Sequence, residues 1–126
     1  MKKVIATTEA PQAVGPYSQA VQANGFIFTA GQIGLDPTTG KFVSEDVAAQ
    51  TRQIMQNLKA VLKSGGSDLE KVVKTTIFVT DLANFKTVNE VYGSFFKGEP
   101  PARSTVEVAA LPLGALVEIE MVAIVG

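Results

Sequence analysis

The sequence predicts an α+β domain in which strands outnumber helices, and three observations predict it. Two segments carry a helical apolar period, six others alternate or are rich in β-branched residues, and together they follow the order β-β-β-α-β-α-β-β. The 126 residues suit a single core, and no repeat, low-complexity tract or linker divides them, so residues 1–126 are read as one domain. Two helices can cover only one face of such a mixed sheet, so both are expected on the same side.

Residues 3–7 form a short first strand, followed by a loop containing Ala10-Pro11 and Gly15-Pro16. Residues 17–23 alternate as a second strand. Asn24-Gly25 then separates two strand-like runs, the pair favoured by a two-residue hairpin, and the third strand covers 26–32. Asp36-Pro37-Thr38-Thr39-Gly40 is a turn. From Glu45 to Lys63 the period becomes helical, with Val47, Ile54, Met55, Leu58, Val61 and Leu62 on one stripe. Ser44 is the expected N-cap, Glu45 and Asp46 suit the positive helix start, and Gly65-Gly66 ends it. Val72 to Thr80 is a β-branched strand. Asp81 or Asn84 opens a second helix expected to reach about Lys97, with Phe85, Val88, Val91, Tyr92, Phe95 and Phe96 on its apolar stripe. Strands at 103–109 and 116–125, joined through Leu111-Pro112-Leu113-Gly114, complete the chain.

The last strand is apolar on much of both faces. Val117, Ile119, Met121, Ala123 and Val125 share one, while Glu118 and Glu120 share the other with Val122 and Ile124. Such a strand wants burial on both sides, and the helices supply only one. The uncovered face is an apolar patch that self-association would close. A charged fraction of 18%, against a typical value of about 25%, points the same way.

Composition also excludes chemistry. The chain has no Cys, His or Trp, which removes disulfides, thiol nucleophiles, Ser-His-Asp arrangements and nearly all zinc sites. Proton transfer falls to Asp, Glu, Lys or Tyr, or to water they position. A net charge of −1 and a pI near 5.4, with scattered lysines, argue against a nucleic-acid partner. The amino terminus lacks a signal-peptide apolar region, and the run Val108 to Val117 is broken by Pro112 and Gly114, which predicts a cytoplasmic protein without a membrane span.

Five residues stand out as site candidates, and Thr105 joins them below. Arg103, one of two arginines, opens an alternating strand after Pro100-Pro101-Ala102, sharing its face with Thr105 and Glu107. Its planar fork suits a bidentate grip on a carboxylate, although on spacing alone a structural ion pair, such as one to Glu118 or Glu120, is the commoner use. Glu118 among apolar neighbours could hold a water or move a proton, or could simply face a polar channel between subunits. Asn89 lies beside the second helix's apolar stripe, where its amide needs partners, either a loop carbonyl or a site. Tyr17 follows the rigid Gly15-Pro16 and serves either packing or a site. Gly31, late in a strand, permits close approach of another group.

Taken together, these residues resemble a known family. Gly15-Pro16-Tyr17-Ser18-Gln19-Ala20, Ala30-Gly31-Gln32-Ile33, Val73 to Leu82, Phe85 with Val88-Asn89 and Tyr92, the block Pro101-Ala102-Arg103-Ser104-Thr105-Val106-Glu107-Val108-Ala109, and Val117-Glu118-Ile119-Glu120 are similar to the Rid (YjgF-type) family, and the block around Arg103 to its RidA subgroup. The similarity runs from about residue 5 to the end. It implies a chorismate-mutase-like fold in a homotrimer with a central β-barrel and clefts between subunits. It also implies hydrolysis of 2-imino acids or their enamine tautomers, such as 2-iminopropanoate and 2-iminobutanoate, to 2-keto acids and ammonia. The resemblance further implies that no metal or cofactor takes part and that the activity protects pyridoxal-phosphate enzymes from enamine damage.

By the same resemblance Arg103 binds the substrate carboxylate, Glu118 activates water, Tyr17 from a neighbouring subunit closes the pocket, and Asn89, Gly31 and Thr105 line it. Thr105 and Ala30 depart from the Cys and Ser frequent in the family. The principal alternative is a trimer that binds a metabolite, or holds partners as a chaperone does, without turnover. A chorismate mutase would need more cationic groups than Arg103, and a ribonuclease would need a basic face.

Overall fold

The sheet takes its order from the position of the last strand. The computed structural model, which describes residues 1–126, contains β1 (Lys3–Ile5), β2 (Ala20–Ala23), β3 (Phe26–Thr29), α1 (Val47–Ser64), β4 (Val72–Val79), α2 (Phe85–Gly93), β5 (Ala102–Glu107) and β6 (Val117–Ile124). This is the predicted succession. β6 lies inside one six-stranded sheet ordered β1-β2-β3-β6-β4-β5. All neighbouring strands are antiparallel except β4 and β5, which are parallel and connected through α2. Asn24 and Gly25 both take positive φ, 51° and 79°, as the tight β2–β3 hairpin requires.

Several ends differ from expectation, each because a side chain or turn captures the backbone first. β1 stops at Ile5 because Thr7 is held by Gln19, whose Oε1 accepts from the Thr7 N–H at 2.7 Å and whose Nε2 donates to the Thr7 carbonyl at 3.1 Å. β2 begins only at Ala20, since Tyr17 N donates to Gly15 O at 2.8 Å in a turn. β3 ends at Thr29, and Gln32 instead forms an isolated bridge with Ile119. β4 loses one residue at its end and β6 one at each end, while β5 starts one residue earlier than predicted and ends two earlier.

The N-cap of α1 is Asp46, not Ser44. Asp46 Oδ2 accepts from Ala49 N at 3.0 Å, while Ser44 Oγ accepts from Asp46 N one turn earlier. The second helix is also shorter than the apolar stripe suggests. A 3-10 turn, Leu82–Asn84, precedes it, and it ends at Gly93 rather than near Lys97. Beyond Gly93 the bonds tighten to i→i−3, with Phe95 N donating to Tyr92 O and Phe96 N to Gly93 O, both at 3.2 Å. Phe95 and Phe96 still pack on the core, so the stripe was real although the helix had stopped.

Both helices cover one sheet face. Ile54, Met55, Leu58, Val61 and Leu62 of α1 and Val88 and Tyr92 of α2 pack against Ile27, Ile77, Val79 and the Val117-Ile119-Met121-Ala123 side of β6. Those four β6 residues are at most 2% exposed. The opposite face carries Val4, Phe26, Phe28, Val106 and Ile124, each about 40–60% exposed although large and apolar. Lys74, which donates to Ser104 Oγ at 2.9 Å, lies on that side too. No helix is long and apolar enough to cross a membrane.

Candidate active site

The six sequence candidates fall into two groups, one on each face of the sheet. β5 pairs with β4 in the register Thr75↔Arg103 and Ile77↔Thr105, which puts Arg103 and Thr105 on the helix-covered side. β6 pairs with β4 as Phe78↔Glu118 and Thr76↔Glu120, which puts both glutamates on the open side. The ion pair between Arg103 and Glu118 or Glu120 considered from sequence is therefore not formed.

On the helix side, Arg103 is exposed but tightly framed. Phe85, Asn89 and Tyr92 occupy one face of α2 at i, i+4 and i+7. The guanidinium carbon lies 5.5 Å from the Phe85 ring centre and 5.3 Å from that of Tyr92. Arg103 Nη1 donates to Asn89 Oδ1. Beneath them the Tyr92 hydroxyl shares a 2.7 Å hydrogen bond with Thr75 Oγ1. Burial pushes the Tyr92 hydroxyl above its usual range, against smaller opposing effects of the Thr75 bond and the Arg103 charge, so it stays protonated. Farther along β5, Glu107 Oε1 accepts from Leu82 N at 2.8 Å and ties the strand to the turn that starts α2. The Thr105 hydroxyl is buried without a partner, which leaves the edge-strand backbone as the part of this residue a ligand can meet.

On the open side, a cleft of about 580 Å³ is lined by Tyr17, Gly31, Gln32, Leu113 and Glu118 among others, with Glu118 its one charged side chain. The cleft wall is held by a reciprocal bridge, Gln32 N to Ile119 O at 2.9 Å and Ile119 N to Gln32 O at 3.1 Å. Thr29 Oγ1 adds a bond from Met121 N at 2.9 Å. The Glu118 carboxyl lies against the Cα of Gly31. Its pKa is raised above the usual carboxylate range, first by burial and then by the neighbouring Glu120 charge. Tyr17, 51% exposed, stands at the cleft edge, and its loop is stapled by Gln19, whose amide also donates to the carbonyls of Ala10 and Pro11.

Tyr17, Gly31 and Glu118 thus form one half-site, and Asn89, Arg103 and Thr105 the other. Sequence reading counted Phe85 and Tyr92 only as core and gave Thr75, Glu107 and Gln19 no role in a site. Helical spacing from Asn89 was the available signal for the two aromatics. Nothing local marks Thr75 or Gln19, whose partners are distant in the chain. No three Asp or Glu side chains converge as a metal cluster.

A family model described as Endoribonuclease L-PSP matches residues 7–125. The chain is 56% identical over 122 residues to Reactive Intermediate Deaminase A, chloroplastic, of Arabidopsis thaliana, covering 97% of this chain and 65% of that protein. It thus spans somewhat under two thirds of the Arabidopsis protein. It is 49% identical over 126 residues to the 2-iminobutanoate/2-iminopropanoate deaminase of Mus musculus, covering 100% of this chain and 93% of the mouse protein. A solved structure of a conserved Rid family protein from Yersinia pestis superposes with a TM-score of 0.97 at 53% identity, covering 99% and 100% of the two chains.

Proposed function

The chain belongs to the Endoribonuclease L-PSP (Rid) family, and from that premise we propose that it hydrolyses 2-imino acids, or their enamine tautomers, to 2-keto acids and ammonia. The mouse relative's name supplies the substrates, 2-iminobutanoate and 2-iminopropanoate. The observation that carries the reading is Arg103: an exposed guanidinium held between Phe85 and Tyr92 and oriented by Asn89 is a ready partner for a small carboxylate.

A protonated imine is already electrophilic, so the protein needs to fix the substrate and hold a water. Water oxygen bonds to the imine carbon, the C=N electron pair moves to nitrogen, and Glu118 takes the water's proton. The same proton then passes to nitrogen; as the C–N bond breaks and ammonia leaves, the C=O bond forms and the hydroxyl's remaining proton goes to Glu118, which hands it to the released ammonia. A carboxyl whose pKa lies above the usual range is well matched to receive and return that proton. No cofactor enters this scheme.

Arg103 and Glu118 leave opposite sheet faces, so one active site takes its halves from two copies. We place three copies around the open faces, closing them into a central barrel, with Tyr17, Gly31 and Glu118 of one copy facing Asn89, Arg103 and Thr105 of the next. The exposed apolar side chains of that face support this arrangement. The charge and apolar patterning of the chain support a cytoplasmic placement without nucleic-acid or membrane partners.

The test is to generate iminopropanoate in situ with an amino-acid oxidase and follow keto-acid formation with wild type and Arg103→Ala. Acceleration by wild type that the variant loses is expected. A folded wild type that binds the keto acid without accelerating the reaction would favour the metabolite-binding alternative. A variant as fast as wild type would remove Arg103 from the site.

A further inference from the structure

We infer that Gly31 is a positioning residue for Glu118, its missing side chain being the seat in which the carboxylate lies. The inference deepens the deaminase reading and rests on it for the role of Glu118. A Cβ at position 31 would stand 1.9 Å from Glu118 Oε2, 2.8 Å from its Cδ and 3.0 Å from its Cγ. Those are overlaps, not contacts. Gly31 is not among the residues with positive φ, so its backbone conformation is open to any residue. Glycine is required there for space alone.

The space cannot be recovered by moving the main chain. On one side Ala30 N donates to Gln19 O at 2.8 Å, and on the other Gln32 is clamped in both directions to Ile119. Glu118 itself is fixed at its Cα by pairing with Phe78 on β4. The flexible end of the glutamate is the one part free to yield. A methyl group at 31 therefore expels the carboxylate from its half-buried seat into the cleft and leaves the fold almost untouched. Gly34 shows the opposite case: a Cβ there would lie 2.8 Å from the Gln50 Cα, a collision with helix backbone. Gly34 thus serves the fold, whereas Gly31 serves the carboxylate.

The experiment compares wild type, Gly31→Ala, Glu118→Gln and the double variant in the imine assay, with Gly93→Ala, whose Cβ meets nothing within 4 Å, as a control. Gly31→Ala is expected to melt within a few degrees of wild type. Its kcat should fall about tenfold or more, while KM for the carboxylate substrate, set by Arg103, changes by less than about twofold. The double variant should be no slower than Glu118→Gln alone.

Carbon NMR of the Glu118 carboxyl gives a readout independent of turnover: its titration should move down toward the ordinary carboxylate range in Gly31→Ala. The other charged side chains facing it, Glu120 of β6, Lys74 of β4 and, in the proposed assembly, Arg103 of the neighbouring copy, are the same in both proteins. A raised KM at normal kcat, independent effects in the double variant, or an unmoved titration overturns the inference. A wild type without turnover whose Glu118 titration still shifts would sink the deaminase reading and leave the seat standing.

Discussion

Thr75 on β4 and Tyr92 on α2 share a 2.7 Å hydrogen bond between hydroxyls, and the ring so anchored faces the Arg103 guanidinium from 5.3 Å. The bond joins sheet to helix at the point where the cation must be held. Tyr92→Leu removes both the bond and one aromatic face from the guanidinium. Since such a cation–π contact is worth about 0.5–1 kcal/mol at an exposed site, KM should rise about twofold to fivefold with kcat nearly unchanged. Tyr92→Phe keeps the ring but strands the Thr75 hydroxyl, and chemical denaturation should show a loss of about 1–2 kcal/mol with KM close to wild type.

Opposite placement of Arg103 and Glu118 makes a strong prediction about mixtures. Arg103→Ala and Glu118→Ala should each be inactive alone, yet co-expressed they should regain activity. A random ring of the two leaves about a quarter of its interfaces with an intact Arg103 facing an intact Glu118. Mixed assemblies verified by native mass spectrometry yet still silent would place both residues in one copy's site.

The raised pKa of Glu118 ties stability to pH. Folding favours its protonated form, so its contribution is full below the ordinary carboxylate range and is lost as pH rises through the raised value. Denaturant midpoints measured between those limits should fall for wild type with increasing pH. They should fall less for Glu118→Gln, which should be the more stable protein at pH 7. Glu120→Gln removes the smaller of the two causes and should move the falling limb to lower pH.

Thr105 buries a hydroxyl that bonds to nothing. Valine has nearly the same shape without that polar atom, so Thr105→Val should stabilise the protein by about 1 kcal/mol, visible as a higher thermal midpoint. A lower midpoint would mean that the hydroxyl has a partner in the assembled protein.

Much of this was legible in the residue pattern because its signals are local. The Asn24-Gly25 hairpin, the α1 stripe and the two-faced character of β6 all depend on neighbours a few positions apart. Choosing among Ser44, Glu45 and Asp46 for the α1 cap was not legible, since all three can bond nearby backbone and their geometry decides. The shared face of Arg103, Thr105 and Glu107 followed from alternation. That this face is the one opposite Glu118 did not, because β5 and β6 do not touch. Their relative parity passes through β4, and register between distant strands is set by burial of the whole sheet. For the same reason Gln19 and Thr75 read as ordinary polar residues until their partners were in place.

The central position of β6 has a consequence for how the protein is made. The strand that binds β3 to β4 leaves the ribosome after every other strand of the sheet, so until residues 117–124 emerge the nascent chain holds a three-stranded β1-β2-β3 meander and a β-α-β unit with their inner edges bare. Closure is then a long-range step, joining segments up to about a hundred residues apart, which sets a slow folding rate for so small a domain. During synthesis those two bare edges are the places where a chaperone, or another unfinished chain, can pair.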